Sequence, residues 1–100
     1  MHIISLSRLR EFYEVHFNAR SGLLGWYKIA SNTRWQNFDQ VRQTYPSADQ
    51  VGNFAIFDIG GNNFRLIVLI DYNASKIFIR HVLTHADYDK NKWKNDSWFN

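Results

Sequence analysis

The stretch from Arg80 to Lys92, RHVLTHADYDKNK, sets side chains that could move a proton close to others that could hold an anion. Arg80 offers a planar fork of donors suited to phosphate oxygens. His85 offers an imidazole, which titrates near neutrality. Tyr88, three residues on, shares a helical face with His85 and could stack, position a hydroxyl or donate a proton. Arg65 lies in the preceding apolar run, and Lys90, Lys92 and Lys94 alternate around Trp93. A proton acceptor, one or two cations and a proton donor are what a phosphodiester requires when a neighbouring 2′-hydroxyl attacks it. The hydroxyl must lose a proton, the phosphorane must be neutralised and the departing oxygen must gain a proton. Each residue also has a structural reading. His85 could be a surface residue at a helix start, and Tyr88 a packing aromatic. Arg65 and Arg80 could decorate a solvated sheet face beside an Asp71–Lys76 cross-strand pair. The three lysines could simply offset a helix macrodipole, although they could also track a phosphate backbone with Trp93 available for stacking.

These residues depend on the elements that carry them. His2 to Ser5 could form a short edge strand. Ser7 resembles an N-cap, and Leu9, Phe12, Tyr13 and Phe17 recur at helical spacing after it. A second helical stretch begins at Ser21 with Leu23, Leu24, Tyr27 and Ile29. Asn37 caps a third, Phe38 to Thr44, which Pro46 keeps from continuing. Beyond Pro46 the period changes: VGNFAIFDI, FRLIVLIDY and KIFIRHVL are β-branched and aromatic runs separated by GGNN and NAS. Three antiparallel strands in a meander follow, with GGNN supplying positive-φ turn residues. Thr84 caps a final helix, and Asp87 sits at capping-box spacing to reach back. The fold class is therefore α+β: N-terminal helices packed on an antiparallel meander, with a short C-terminal helix.

Register follows from segregation of charge. If residue numbers in the second hairpin sum to an odd value, Phe64, Leu66, Val68, Ile70, Ile77, Ile79, His81 and Leu83 share one face. Arg65, Ile67, Leu69, Asp71, Lys76, Phe78, Arg80 and Val82 share the other. A slip of one residue would mix charge into both. The odd sum puts Arg65 and Arg80 together on a face too apolar to meet solvent alone. That face needs RNA, a protein partner or the terminal helix to cover it. His81 falls on the core face as a structural histidine, and His2 and His16 are isolated.

The segments WQNFDQVRQTYPSADQVGN, IFDIGGNNFRLIVLI and IFIRHVLTHADYDK, spanning Trp35 to Lys90, resemble the HigB family of bacterial toxins within the RelE-like group. GGN-x-FRL followed by R-x-VLTH-x-x-YDK is the ordered core of that likeness, and the WKNDSWFN tail lies outside it. The resemblance implies a compact RelE-like fold and an RNA-cleaving activity, often on ribosome-bound messages. It also implies inhibition by a cognate antitoxin, expected to be of the helix-turn-helix type. On this reading His85, Tyr88, Arg80 and Arg65 are the catalytic candidates, and Lys90, Lys92 and Lys94 the RNA-binding ones.

Composition bounds the alternatives. One hundred residues is the size of one domain, and 12 Lys plus Arg against 9 Asp plus Glu gives a net charge of +3, compatible with an anionic partner. Without cysteine there is no disulfide and no thiolate nucleophile or ligand, which suits a reducing cytoplasm. Polar residues break the N-terminal segment, so no signal peptide is expected. The longest apolar run, Leu66 to Ile70, falls far short of the ~20 residues of a membrane span. No metal or cofactor is expected: a strand-to-helix change separates His81 from His85, and no GxxxxGK loop or Gly-x-Ser-x-Gly elbow occurs. Two other functions remain in play. One is a RelE-like chain binding a different target such as a topoisomerase without cutting RNA. The other is a plain RNA-binding module, although Phe54, Phe57 and Phe64 do not form an exposed platform.

Overall fold

A computed structural model describes all residues from Met1 to Asn100. Three helices, α1 (Ser7–Val15), α2 (Arg20–Ser31) and α3 (Phe38–Thr44), precede most of the sheet. The strands are β1 (His2–Ile4), β2 (Asp49–Val51), β3 (Phe54–Ile59), β4 (Phe64–Asp71) and β5 (Lys76–Thr84). Helix α4 (His85–Asp89) and a 3₁₀ turn, Lys92–Asn95, complete the chain. The sheet order is β1-β5-β4-β3-β2, with β1 parallel to β5 and the other neighbours antiparallel. The α+β class and the short N-terminal edge strand stand as expected.

Several local expectations need correction. Ser7 does not cap α1: the helix follows Leu6 with no side-chain cap bond, and Ser5 makes the turn at φ 68. Phe17 falls in a 3₁₀ turn after α1 and is 75% exposed, so the helical period ends before it reaches the core. Helix α2 buries Leu23, Trp26 and Ala30 rather than Tyr27 and Ile29. Asn37 does cap α3, its Oδ1 accepting from the Gln40 amide at 3.0 Å. VGNFAIFDI is not one strand. Gly52, at φ +59, turns the chain so that Val51 pairs with Phe54, giving a fourth antiparallel strand.

The sheet is covered on both faces. One core joins Leu9, Leu23, Trp26 and Trp35 to Phe57, Leu66, Val68, Ile77 and Ile79 under the helices. A smaller one, Phe54, Ile56, Ile67 and Trp93, lies on the opposite face under α4 and the C-terminal tail. The apolar outer face expected from the strand pattern is thus closed by the chain itself.

Register is odd only near the hairpin, from Val68↔Ile79 to Asp71↔Lys76. A bulge between Ile67 and Val68 leaves Arg80 as the extra residue, and Ile67↔His81, Leu66↔Val82 and Arg65↔Leu83 follow in even register. The assignments of His81, Val82 and Leu83 are therefore reversed. Val82 joins the helix-side core, while His81 and Leu83 join Arg65 on the tail face. A bulge lets the strand send Val82 inward without also burying Arg80. Arg65 and Arg80 remain on the same face.

Candidate active site

The GGNN turn between β3 and β4 is where Arg65 and His85 meet. Gly60 and Gly61 supply the positive φ values the turn requires. Arg65, the one charged residue in the buried set, folds back over the turn: Nη1 donates to the carbonyls of Asn62 at 3.2 Å and Phe64 at 3.1 Å, and Nη2 donates to Asn62 Oδ1 at 2.5 Å. Its Nε lies 3.1 Å from Asp58 Oδ1, directly across the β3–β4 pair. Most of the Arg65 fork is thus engaged by protein, and it rigidifies the turn.

That turn orients His85. Thr84 Oγ1 accepts from the Asp87 amide at 3.1 Å, fixing the start of α4 as expected, while the Asp87 carboxylate pairs with Lys90 at 3.3 Å instead of reaching back. The His85 amide donates to Asn63 O at 2.9 Å, and ring Nδ1 lies 3.0 Å from Asn62 O. A carbonyl only accepts, so Nδ1 donates to it, and Nε2 is the ring nitrogen not held by the turn. Nε2 in turn lies 3.1 Å from Asp89 Oδ2, one helical turn along.

Tyr88 leaves α4 toward Arg65, whose guanidinium carbon sits 5.4 Å from the ring centroid. Trp93 stacks on the same ring at 5.3 Å and 9° and donates Nε1–H to Tyr88 O at 3.1 Å. With protein groups packed on its ring, Tyr88 presents chiefly its hydroxyl. Burial, reinforced by Asp49 and opposed by Arg65, raises the phenol above its ordinary value, with Asp58 and Asp89 adding to the rise. Tyr88 stays protonated at neutral pH and is a donor. It lines a polar cleft of about 430 Å³ with Arg42, Ser47, Asp49, Asp58 and Arg65.

Arg80 is separate, and no one cleft is lined by both it and Arg65. Its Nε and Nη2 donate to Asp96 at 2.9 and 2.7 Å, and its guanidinium lies 3.7 Å from the Trp98 ring centroid. His81 Nε2 donates to the same carboxylate at 2.8 Å, and the Trp98 amide does so at 2.9 Å. Hydrogen bonding from Arg80, together with the Trp98 amide and His81, holds Asp96 well below the ordinary carboxylate range despite its burial. Lys90 and Lys92 line a neighbouring trough with His81 and Leu83, whereas Lys94 lies over Trp93 at 5.5 Å. Trp93 is only 4% exposed, so the expectation that it is available for stacking on a partner is corrected: it is a core residue.

The geometry thus joins Arg65, His85 and Tyr88 around the turn and leaves Arg80 and the lysines outside that cluster. The family model described as HigB_toxin, the RelE-like toxic component of a toxin–antitoxin system, matches residues 19–91. The chain belongs to the HigB toxin family. Among curated relatives, the mRNA interferase HigB of Escherichia coli O6:H1 (strain CFT073) is 30% identical over 93 residues, covering 90% of each chain. The mRNA interferase toxin HigB of Escherichia coli K12 is 24% identical over 92 residues, covering 89% of this chain and 88% of its own. The corresponding Shigella flexneri protein is equally similar. In this HigB-family chain the residues missed by sequence reasoning are Asn62, Asp58, Asp89 and Asp96. Asp58 was within reach, because a hairpin closed by GGNN places it opposite Arg65; Asp96 carried no such signal.

Proposed function

We propose that this HigB-family chain is a metal-independent endoribonuclease toxin that cleaves messenger RNA in the cytoplasm, on the ribosome, and is held in check by a helix-turn-helix antitoxin. The observation that carries the reading is His85, fixed through Nδ1 to the Asn62 carbonyl with Nε2 facing only the exposed Asp89 carboxylate, in a chain similar along nearly its whole length to mRNA interferases. The RNA 2′-hydroxyl displaces the exposed Asp89 carboxylate from His85 Nε2, which then takes the hydroxyl proton. The 2′-oxygen attacks the adjacent phosphorus, the bond from phosphorus to the 5′-oxygen breaks, and the Tyr88 hydroxyl donates a proton to the departing oxygen. The products are a 2′,3′-cyclic phosphate and a 5′-hydroxyl. Arg65 holds the turn beneath His85 and adds positive charge beside the phosphorane, while Lys90 and Lys92 guide flanking RNA along the neighbouring trough and Arg80 and Lys94 add longer-range attraction. The nucleophile belongs to the substrate, so a metal-activated water has no role in this chemistry.

Single-turnover cleavage of a ribosome-programmed message tests the reading, with end-group analysis and with chelator present. His85→Ala should lose about 10²- to 10⁴-fold in cleavage with RNA binding nearly intact. Tyr88→Phe should lose cleavage as well, since it keeps the ring and removes the donor. Full activity in both variants, with folding verified by thermal melts, sinks the assignment.

A further inference from the structure

The cleft beside Tyr88 contains a cation that the site described above does not use. Arg65 is committed to Asp58 and the turn, but Arg42, near the end of α3, makes only a 3.5 Å contact with the Pro46 carbonyl and pairs with no carboxylate. Asp49 lines the same cleft, an exposed residue at the start of edge strand β2 with one carboxylate oxygen on its own neighbour's amide and the other without a partner. The cleft, at about 430 Å³, falls in the size range of small-ligand sites and is predominantly polar in its lining. It opens onto the Tyr88 hydroxyl, the proposed proton donor.

We infer that this cleft is a subsite for one nucleotide of single-stranded RNA next to the cleaved bond, with Arg42 holding its phosphate and Asp49 accepting from an amino group on its base. The inference rests on the reading that the chain acts on RNA. An unpaired guanidinium binds a phosphate in bidentate fashion without first having to break an ion pair. A carboxylate can only accept, so it selects against an edge made mainly of acceptors. Adenine, guanine and cytosine each carry an exocyclic amino group, whereas uracil presents two carbonyls around one N–H. The subsite therefore disfavours uridine.

The test uses oligonucleotides with 2′-O-methyl sugars, which bind but cannot be cut, in adenosine, cytidine and uridine series. The full chain should bind the amino-bearing series about tenfold or more tightly than the uridine series. Arg42→Gln should weaken all series, and the slope of log affinity against log salt should lessen by about 0.7, the value for one single-strand phosphate contact. Asp49→Ala should leave or raise uridine affinity and erase the discrimination. Lys28→Gln on α2, away from the cleft, is the control for net charge. Unchanged affinity and salt slope in Arg42→Gln, or retained discrimination in Asp49→Ala, overturns the subsite. If both variants behave as expected but the unmodified chain leaves RNA uncut, the subsite stands and the endoribonuclease reading fails.

Discussion

His85 and Arg80 show how far the partners of a side chain determine what it can do. Both lie in the same thirteen-residue stretch, yet His85 ends with one nitrogen fixed on a carbonyl and the other on an exposed carboxylate, while Arg80 ends in an ion pair with a carboxylate only 4% exposed. Asp96 is the residue to perturb. It accepts from Arg80, His81 and the Trp98 amide, and Asp96→Asn should lower stability at neutral pH by about 2–4 kcal/mol, as expected for breaking a buried charged network. The sign with pH follows from its depressed ionisation. Its stabilisation is fully present above the unfolded carboxylate pKa of about 3.9 and is withdrawn as pH falls below that value. Denaturant titrations from pH 7 to pH 2 should therefore show a steeper acid loss in the wild type than in Asp96→Asn. Parallel curves would mean that the fold does not favour the ionised form of Asp96.

Among the elements, the C-terminal tail contributes most beyond its own length. It closes the sheet face that the strand pattern left apolar, and through Trp93 it forms one wall of the candidate site. Trp93 also packs against Phe54 and Phe99, so it couples β3, α4 and the tail. Trp93→Ala should cost about 3–5 kcal/mol by opening a cavity in this smaller core. It should also reduce cleavage under conditions where the protein is still folded, because Tyr88 loses the surface that holds its ring. Equilibrium unfolding together with cleavage rates checks both. A variant with wild-type cleavage would make the tail a cover only. The β5 bulge belongs to the same scale: one extra residue lets Arg80 face the tail while Val82 faces the helices.

For the whole molecule, membership of a family of toxic components leads to a prediction about cells. Expression without an antitoxin should arrest growth, with loss of full-length messages seen by primer extension, and His85→Ala should relieve the arrest at equal protein level. Normal growth with soluble, folded wild-type protein would favour the RNA-binding module over the nuclease. No helix is long and apolar enough to cross a membrane.

Much of this was legible in the residues. Local period and punctuation fixed the order of elements: helical spacing before Pro46, β-branched runs after it, Gly60 and Gly61 at the turn, Asn37 and Thr84 as caps. Those signals are local because turn and cap conformations depend on neighbours a few residues away. The ordered motifs from Trp35 to Lys90 carried the family. What the sequence could not decide was every contact made between distant segments. The hydrogen bond from His85 to Asn62 spans 23 positions and the ion pair from Arg80 to Asp96 spans 16. The bulge that reversed His81, Val82 and Leu83 is also such a case. A strict alternation of two has no way to express an inserted residue, and the insertion is favourable only because one face packs on helices and the other on a tail. The role of each titratable group was decided there too, since a proton's position depends on which acceptor the fold brings within about 3 Å.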